Sequence, residues 1–206
     1  MIVVVDYGVN NLRSVVRALG AGGHAATLTA DAALVRTAGR LLIPGVGNFG
    51  QAAKNLAASG LGEAIQDFAR SGRPVMGICL GMQLFFPRSE EAPGVHGLGL
   101  LEGEVRRFRT GLSVPHVGWA GVRLTPAGER HPVLDDLFHG EVQFFYHVHS
   151  FHPASTPDES VLGTADYDGP FPTIVGQANV LGVQFHPEKS QKAGIELLSR
   201  FVAWNP

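Results

Sequence analysis

The chain has 206 residues, 45% hydrophobic and 17% charged, with 16 basic against 18 acidic side chains and a formal charge of −2. That is enough for a substantial core and, by length, for a single domain over residues 1–206, while the absence of a basic block argues against nucleic acid or an anionic membrane as partner. No apolar run approaches the roughly 20 residues of a membrane span, Met1-Ile2-Val3-Val4-Val5 lacks the charged start of a signal peptide, and one cysteine cannot form an internal disulfide, so a reducing, cytoplasmic setting is expected.

Ile2 to Val5 reads as a buried strand that ends in the loop Asp6-Tyr7-Gly8-Val9-Asn10-Asn11. Leu12 to Leu19 reads as a helix closed by Gly20. Ala25 to Leu28 is a second strand, and Arg40 to Ile43 a third that runs into the turn Pro44-Gly45-Val46-Gly47. Helices are expected over 49–58 and 61–71, then a strand from Arg73 to Ile78 and a helix from Leu80 to Phe86 stopped at Pro87. Strands alternating with helices predict an α/β fold, a parallel sheet covered on both faces. Ligands of such sheets bind beyond the carboxyl ends of the strands, where loops 6–11, 44–47 and 77–81 converge. In the second half, shorter strands are expected from Leu101 to Phe108, Val117 to Leu124, Val142 to Val148, Ser160 to Ala165, Thr173 to Gly176 and Val180 to Phe185, an antiparallel extension of the sheet. Ser190 is expected to cap a last helix reaching Trp204.

The only cysteine, Cys79, sits at the centre of Gly77-Ile78-Cys79-Leu80-Gly81, at the junction of a strand and a helix. A reactive side chain on such a sharp turn needs small neighbours two positions either side, the logic of a nucleophile elbow with sulfur in place of oxygen. The helix start aims free N–H groups and a partial positive charge at the sulfur, which favours the thiolate. A buried inert thiol is the competing reading. A cysteine nucleophile needs a base, and of nine histidines His186 has the informative setting, Gln184-Phe185-His186-Pro187-Glu188. A strand ends there, proline fixes the turn, and Glu188 is placed to accept the imidazole N–H and hold one tautomer. Alone, His186-Pro187-Glu188 would read as a surface turn; beside the elbow it reads as the rest of a Cys-His-Glu triad. The N–H of Leu80 and the glycines of Pro44-Gly45-Val46-Gly47 are candidate oxyanion donors, against a plain turn into the next helix. His147 and His149 share a strand face and would suit a metal, but lack a clear third ligand; two partly exposed strand histidines are the expectation, and no metal. Trp119 is either core or an interface anchor, and 127–132 is expected to be a solvated loop.

Gly77-Ile78-Cys79-Leu80-Gly81-Met82-Gln83 and Gln184-Phe185-His186-Pro187-Glu188 resemble the two signatures of class I, triad-type glutamine amidotransferases. Asp6-Tyr7-Gly8 with Asn11-Leu12-Arg13-Ser14-Val15, Pro44 to Gly50, Ser89 to Gly94, Pro115 to Trp119 and His186 to Ser190 narrow the resemblance to the glutaminase subunits of imidazole glycerol phosphate synthases. That resemblance implies a flavodoxin-like fold and hydrolysis of glutamine to glutamate and ammonia, without a cofactor. Cys79 would form the γ-glutamyl thioester, His186 shuttle protons and Glu188 orient it. Val46, Gly47 and Leu80 would supply the oxyanion hole, while Gln83, Glu91, Ser150 and the backbone at Gly45 would hold glutamine. The ammonia would pass to a separate (β/α)8 cyclase subunit in a heterodimer that makes imidazole glycerol phosphate and aminoimidazole carboxamide ribotide for histidine biosynthesis. Activity would be weak until that partner is bound and loaded, and Asn11, Trp119 and Lys189 would lie near the partner surface.

Three positions depart from the family pattern. Asn10 stands where glycine is usual, and asparagine is the next-best residue for φ > 0. Ala120 replaces an asparagine that would tie a tryptophan loop to its neighbours, and His147 replaces an apolar or aromatic residue. The competing functions are a glutaminase for another synthase, a free-standing γ-glutamyl thiol hydrolase, and a silent scaffold; an intact Cys79, His186 and Glu188 argues against the last.

Overall fold

Val3, Val4 and Val5 point alternately to opposite faces of one sheet, and all three are fully buried. A strand covered on both faces must read as a continuous apolar run, and this one does. The computed structural model describes residues 1–206, in which no helix is long and apolar enough to cross a membrane. Its first half gives β1 (Ile2–Val5), α1 (Leu12–Ala21), β2 (Ala26–Thr29), α2 (Ala32–Thr37), β3 (Arg40–Gly45), α3 (Phe49–Ser59), α4 (Leu61–Arg70), β4 (Val75–Cys79) and α5 (Leu80–Gln83). The second half gives β5 (Glu104–Arg107), β6 (His116–Leu124), α6 (Asp135–Phe138), β7 (Gln143–His149), β8 (Phe151–Ala154), β9 (Val161–Asp166), β10 (Pro170–Gln177), β11 (Val180–Val183) and α7 (Gln191–Ala203).

Nine strands form one sheet in the order β2-β1-β3-β4-β11-β10-β9-β6-β7. The first five are parallel, in a flavodoxin-like arrangement, and the rest pair antiparallel. The expected α/β sheet with an antiparallel extension is therefore present, except that the strand expected from Leu101 to Phe108 is shortened to β5 and pairs with β8 in a separate two-stranded sheet. On one face Val3, Val5, Leu41, Ile43 and Val75 pack with α2, α3 and α4; on the other Val4, Leu42, Met76 and Ile78 pack with α1 and α7.

Several boundaries differ from expectation. Helix α1 runs through Gly20 to Ala21 and stops at Gly22. The helix expected to Phe86 ends at Gln83, because the loop after it takes the next carbonyls: Leu98 N–H donates to Leu84 O at 2.7 Å and Leu100 N–H to Phe85 O at 2.8 Å. Helix α2 is too short for a period to show, although Asp31 caps it through Ala33 N–H at 2.8 Å. Ser190 stands at the start of α7, but its hydroxyl is spent elsewhere, donating to His186 O and accepting from Tyr146 N–H. The expected solvated loop at 127–132 contains a buried Gly128 and a His131 ring packed on Trp204, centroids 4.9 Å apart.

The junction of β4 and α5 is where backbone approaches most closely. A Cβ on Gly77 would stand 2.7 Å from Met82 N, and one on Gly81 only 1.5 Å from Ile43 O. Gly20, inside α1, has nothing within 4 Å of the same position. Gly81→Ala should therefore lower the unfolding free energy by about 3 kcal/mol or more, whereas Gly20→Ala should raise it by about 0.5–1 kcal/mol; urea titration of the two variants checks both signs.

Candidate active site

Cys79 ends β4 with φ 54° and ψ −110°, a left-handed conformation that a non-glycine residue holds only when its surroundings enforce it. The neighbouring strands fix what stands beside it. In the parallel register Gly45 of β3 pairs with Cys79, and Val183 of β11 pairs with Ile78, so residues 184 onward leave the sheet alongside the sulfur. Cys79 is 6% exposed and opens on a cavity of about 210 Å3 whose wall includes Val46, Gly47, Leu80, Gln83, Glu91 and Ser150. That is smaller than the roughly 300–1,000 Å3 of drug-sized sites and suits a ligand of single-amino-acid size. Of the residues expected around the substrate, only Gly45 is absent from this wall. It packs instead against Tyr7, whose oxygen would lie 2.3 Å from a Cβ there, so the position is closed to any side chain. The Tyr7 hydroxyl donates to Pro44 O at 2.8 Å, and burial first, then the charge of Cys79, push it far up, so it remains a donor. Gly47 has φ 129°, a conformation that favours glycine. Glu91 accepts Phe49 N–H at 2.7 Å, closing the start of α3 where it meets the cavity.

His186 and Glu188 lie outside the cavity wall and are buried, their side chains 1% and 0% exposed. His186 Nδ1 is 2.7 Å from Glu188 Oε1, and because a carboxylate only accepts, that nitrogen carries the proton. Burial pushes the imidazole down, but the Cys79 sulfur and then Glu188 outweigh it and hold His186 raised, to about 10.

Asn11, expected at a partner surface, does something else as well: its Nδ2 donates to Glu188 Oε1 at 2.6 Å. It has φ 75° and gives α1 no side-chain cap. Asn10, where a positive φ was expected, is not in that region; Gly8 and Asn11 take it in this loop. The link joins positions 177 apart in sequence, and no local spacing signals it. Trp119 is 47% exposed on β6, a strand and not a loop, beside Tyr146 of β7, and Lys189 Nζ lies 5.6 Å over the Tyr146 ring. Val117 and Phe144 are exposed on the same face, while Ala120 turns into the core. Gln184, which sequence reasoning left without a role, is fully buried with Nε2 3.7 Å from Cys79 Sγ.

His147 and His149 are not partly exposed: they are 0% and 6% exposed, in a cluster of rings with His116, Phe108 and Phe171. Both nitrogens of His147 are occupied, by Phe145 O at 3.0 Å and Thr173 Oγ1 at 2.9 Å, which leaves no lone pair for a metal. The polar ring stands in a core position because both its ends are hydrogen-bonded. Burial pushes His147 down to about 3 and His149 well below 6.5. The unfolded chain takes up these protons near 6.5 and the folded chain does not, so stability present above pH 6.5 should be lost as pH falls from there toward 3. Melting temperature against pH should show that slope, and the double change His147→Phe, Thr173→Val should flatten it.

Residues 3–204 match the family model described as Glutamine amidotransferase class-I. The chain is 44% identical over 201 residues to the imidazole glycerol phosphate synthase subunit HisH of Symbiobacterium thermophilum, covering 97% of this chain and 92% of that one. It is 43% identical over 202 residues to the same subunit of Moorella thermoacetica, covering 97% and 93%. Among solved structures it resembles PurLQS from Thermotoga maritima with a TM-score of 0.76 at 20% identity, over 98% of this chain and 97% of that chain, a likeness of fold.

Proposed function

The chain belongs to the HisH family of class I glutamine amidotransferases and is a glutamine amidotransferase of histidine biosynthesis, and from that premise we propose a Cys79–His186–Glu188 glutaminase that hands ammonia to a cyclase subunit. The observation that carries the reading is the elbow itself. Cys79 stands in a positive-φ turn on a small cavity, with the buried His186–Glu188 pair in the turn that follows the neighbouring strand β11.

In this reading glutamine lies in the cavity against Gln83, Glu91 and Ser150, with the backbone at Gly45 fixing the strand that carries Val46 and Gly47. Cys79 Sγ attacks the carboxamide carbon, and a C–S bond forms. The carbonyl oxygen takes the negative charge, and N–H groups of Leu80 and the Val46–Gly47 segment receive it. His186 Nε2 gives its proton to the amide nitrogen, the C–N bond breaks, and ammonia leaves. Neutral His186 then takes a proton from water, whose oxygen attacks the thioester. Glutamate departs, and the sulfur recovers its electron pair. The raised imidazole is suited to hold the proton that the leaving group needs. Glu188 keeps the ring in one orientation throughout.

Partner docking is supported by the exposed strip Val117, Trp119 and Phe144 with Tyr146 and Lys189. Apolar side chains on one strand face, beside a cation, make the surface expected for a heterodimer. It is tied to the site through backbone: His186 N–H donates to Tyr146 O at 2.9 Å. Docking on β7 would therefore act directly on the histidine turn, which is the physical basis proposed for activation by the partner.

Glutamate release from glutamine should be low for the chain alone and rise strongly with the (β/α)8 cyclase subunit and its nucleotide ligand, and Cys79→Ala should abolish it. An equal, fast rate without partner would instead identify a free-standing hydrolase. In Glu188→Gln, release with the partner present should fall about 100- to 10,000-fold, and the His186 titration midpoint, read by imidazole NMR, should drop relative to wild type because a raising neighbour is lost; wild-type rates in that variant would refute the triad.

A further inference from the structure

The polar surroundings of Cys79 include one residue the triad does not use. Gln184 follows β11, is 0% exposed, and places Nε2 3.7 Å from Cys79 Sγ. The direction of its amide follows from the partners of Gln83. Gln83 Nε2 is 3.0 Å from Phe151 O, a carbonyl that only accepts, so the nitrogen of Gln83 is fixed on that side. The same nitrogen is 3.2 Å from Gln184, and the atom facing a donor must be the oxygen, Oε1. Gln184 then has only its NH2 group to present to the sulfur. Reversing it would set nitrogen against nitrogen at one end and oxygen against sulfur at the other.

A glutamine buried in this way costs free energy unless both ends of its amide are satisfied, and an apolar side chain would fill the same space without that demand. Here the acceptor end is met by Gln83 and the donor end by the reacting atom. The backbone of Gln184 is held as well, its N–H donating to Thr173 O at 2.8 Å, so the side chain projects from a fixed point.

We propose that Gln184 is a catalytic residue of this glutaminase site, donating Nε2–H to the Cys79 sulfur and supporting its anionic form, with Gln83 the positioning residue that sets the direction of the amide. The inference rests on the reading of Cys79 as nucleophile. It also gives Gln83 a second task, since that residue is on the cavity wall: what binds there is joined to the sulfur through two hydrogen bonds, Gln83 to Gln184 and Gln184 to Cys79.

Cys79 is the only cysteine, so alkylation of the full chain by iodoacetamide reads this sulfur alone. In Gln184→Met the pH profile of the alkylation rate should move upward, with the rate at pH 7 falling about 3- to 10-fold and the high-pH plateau retained. Gln83→Met should move it the same way by less. Profiles that superimpose on wild type, or a rate reduced equally at every pH, would overturn the proposal, the latter because a merely structural change does not move a charge equilibrium. Should Gln184→Met fail to fold by circular dichroism, Gln184→Asn withdraws the donor by one methylene while keeping an amide, and an unchanged profile there overturns the proposal equally. Alkylation needs neither glutamine nor partner, so absent glutamate release would count against the glutaminase reading and leave this test standing.

Discussion

The backbone of Cys79 is the constraint on which the rest of the structure turns. A non-glycine residue at φ 54° and ψ −110° costs about 1–3 kcal/mol, and it persists because its neighbours permit nothing else. Gly77 lets the first turn of α5 fold back onto β4, and Gly81 lets that helix rest on the carbonyl of Ile43 in β3. The strain is held by the most buried part of the molecule, between two strands that pair with β4 over four and five residues. Those two strands also carry the rest of the site. β3 delivers Val46 and Gly47, and β11 delivers Gln184, His186 and Glu188, so the close packing that fixes the elbow also sets the distances around the sulfur.

The second organising element is a chain of buried polar contacts. Asn11 from the first loop and His186 from the last turn meet on one oxygen of Glu188, at 2.6 and 2.7 Å. Burial alone would push the imidazole down; the Cys79 sulfur and then Glu188 beside it hold it raised. Low dielectric strengthens such contacts, while His186 Nε2 and Glu188 Oε2 stay buried without a hydrogen-bond partner within the chain. The Ser190 hydroxyl extends the network outward, bridging His186 O and Tyr146 N–H, and so joins the histidine turn to a strand whose other face carries the exposed Phe144.

The histidines on the antiparallel side show the opposite use of burial. His147 sits among aromatic rings with both nitrogens bonded, uncharged, and remote in purpose from the elbow. It occupies a place an apolar ring would fill, at the cost of sensitivity to acid. Imidazole thus has two roles here, decided by whether its neighbours are anions or carbonyl and hydroxyl groups.

Much of this was legible along the chain. The valine run of β1, the glycines around Cys79 and the turn at His186-Pro187-Glu188 are local patterns, and local sterics suffice to read them: a strand covered on two faces, an elbow without room for a Cβ, a proline that fixes a turn. Burial of a particular side chain is a property of what the other strands bring, so His147 and His149 read as half-exposed until β6, β9 and β10 were in place. The same holds for Asn11, whose glutamate lies 177 positions away, and for Gln184, which looks like one more polar residue until Gln83 fixes its amide. The sequence by itself determined which residues could react and where the backbone had to bend, because those are short-range demands. The tertiary structure alone decided what each of them touches, because hydrogen-bond direction and charge depend on partners that only folding brings within 3 or 4 Å.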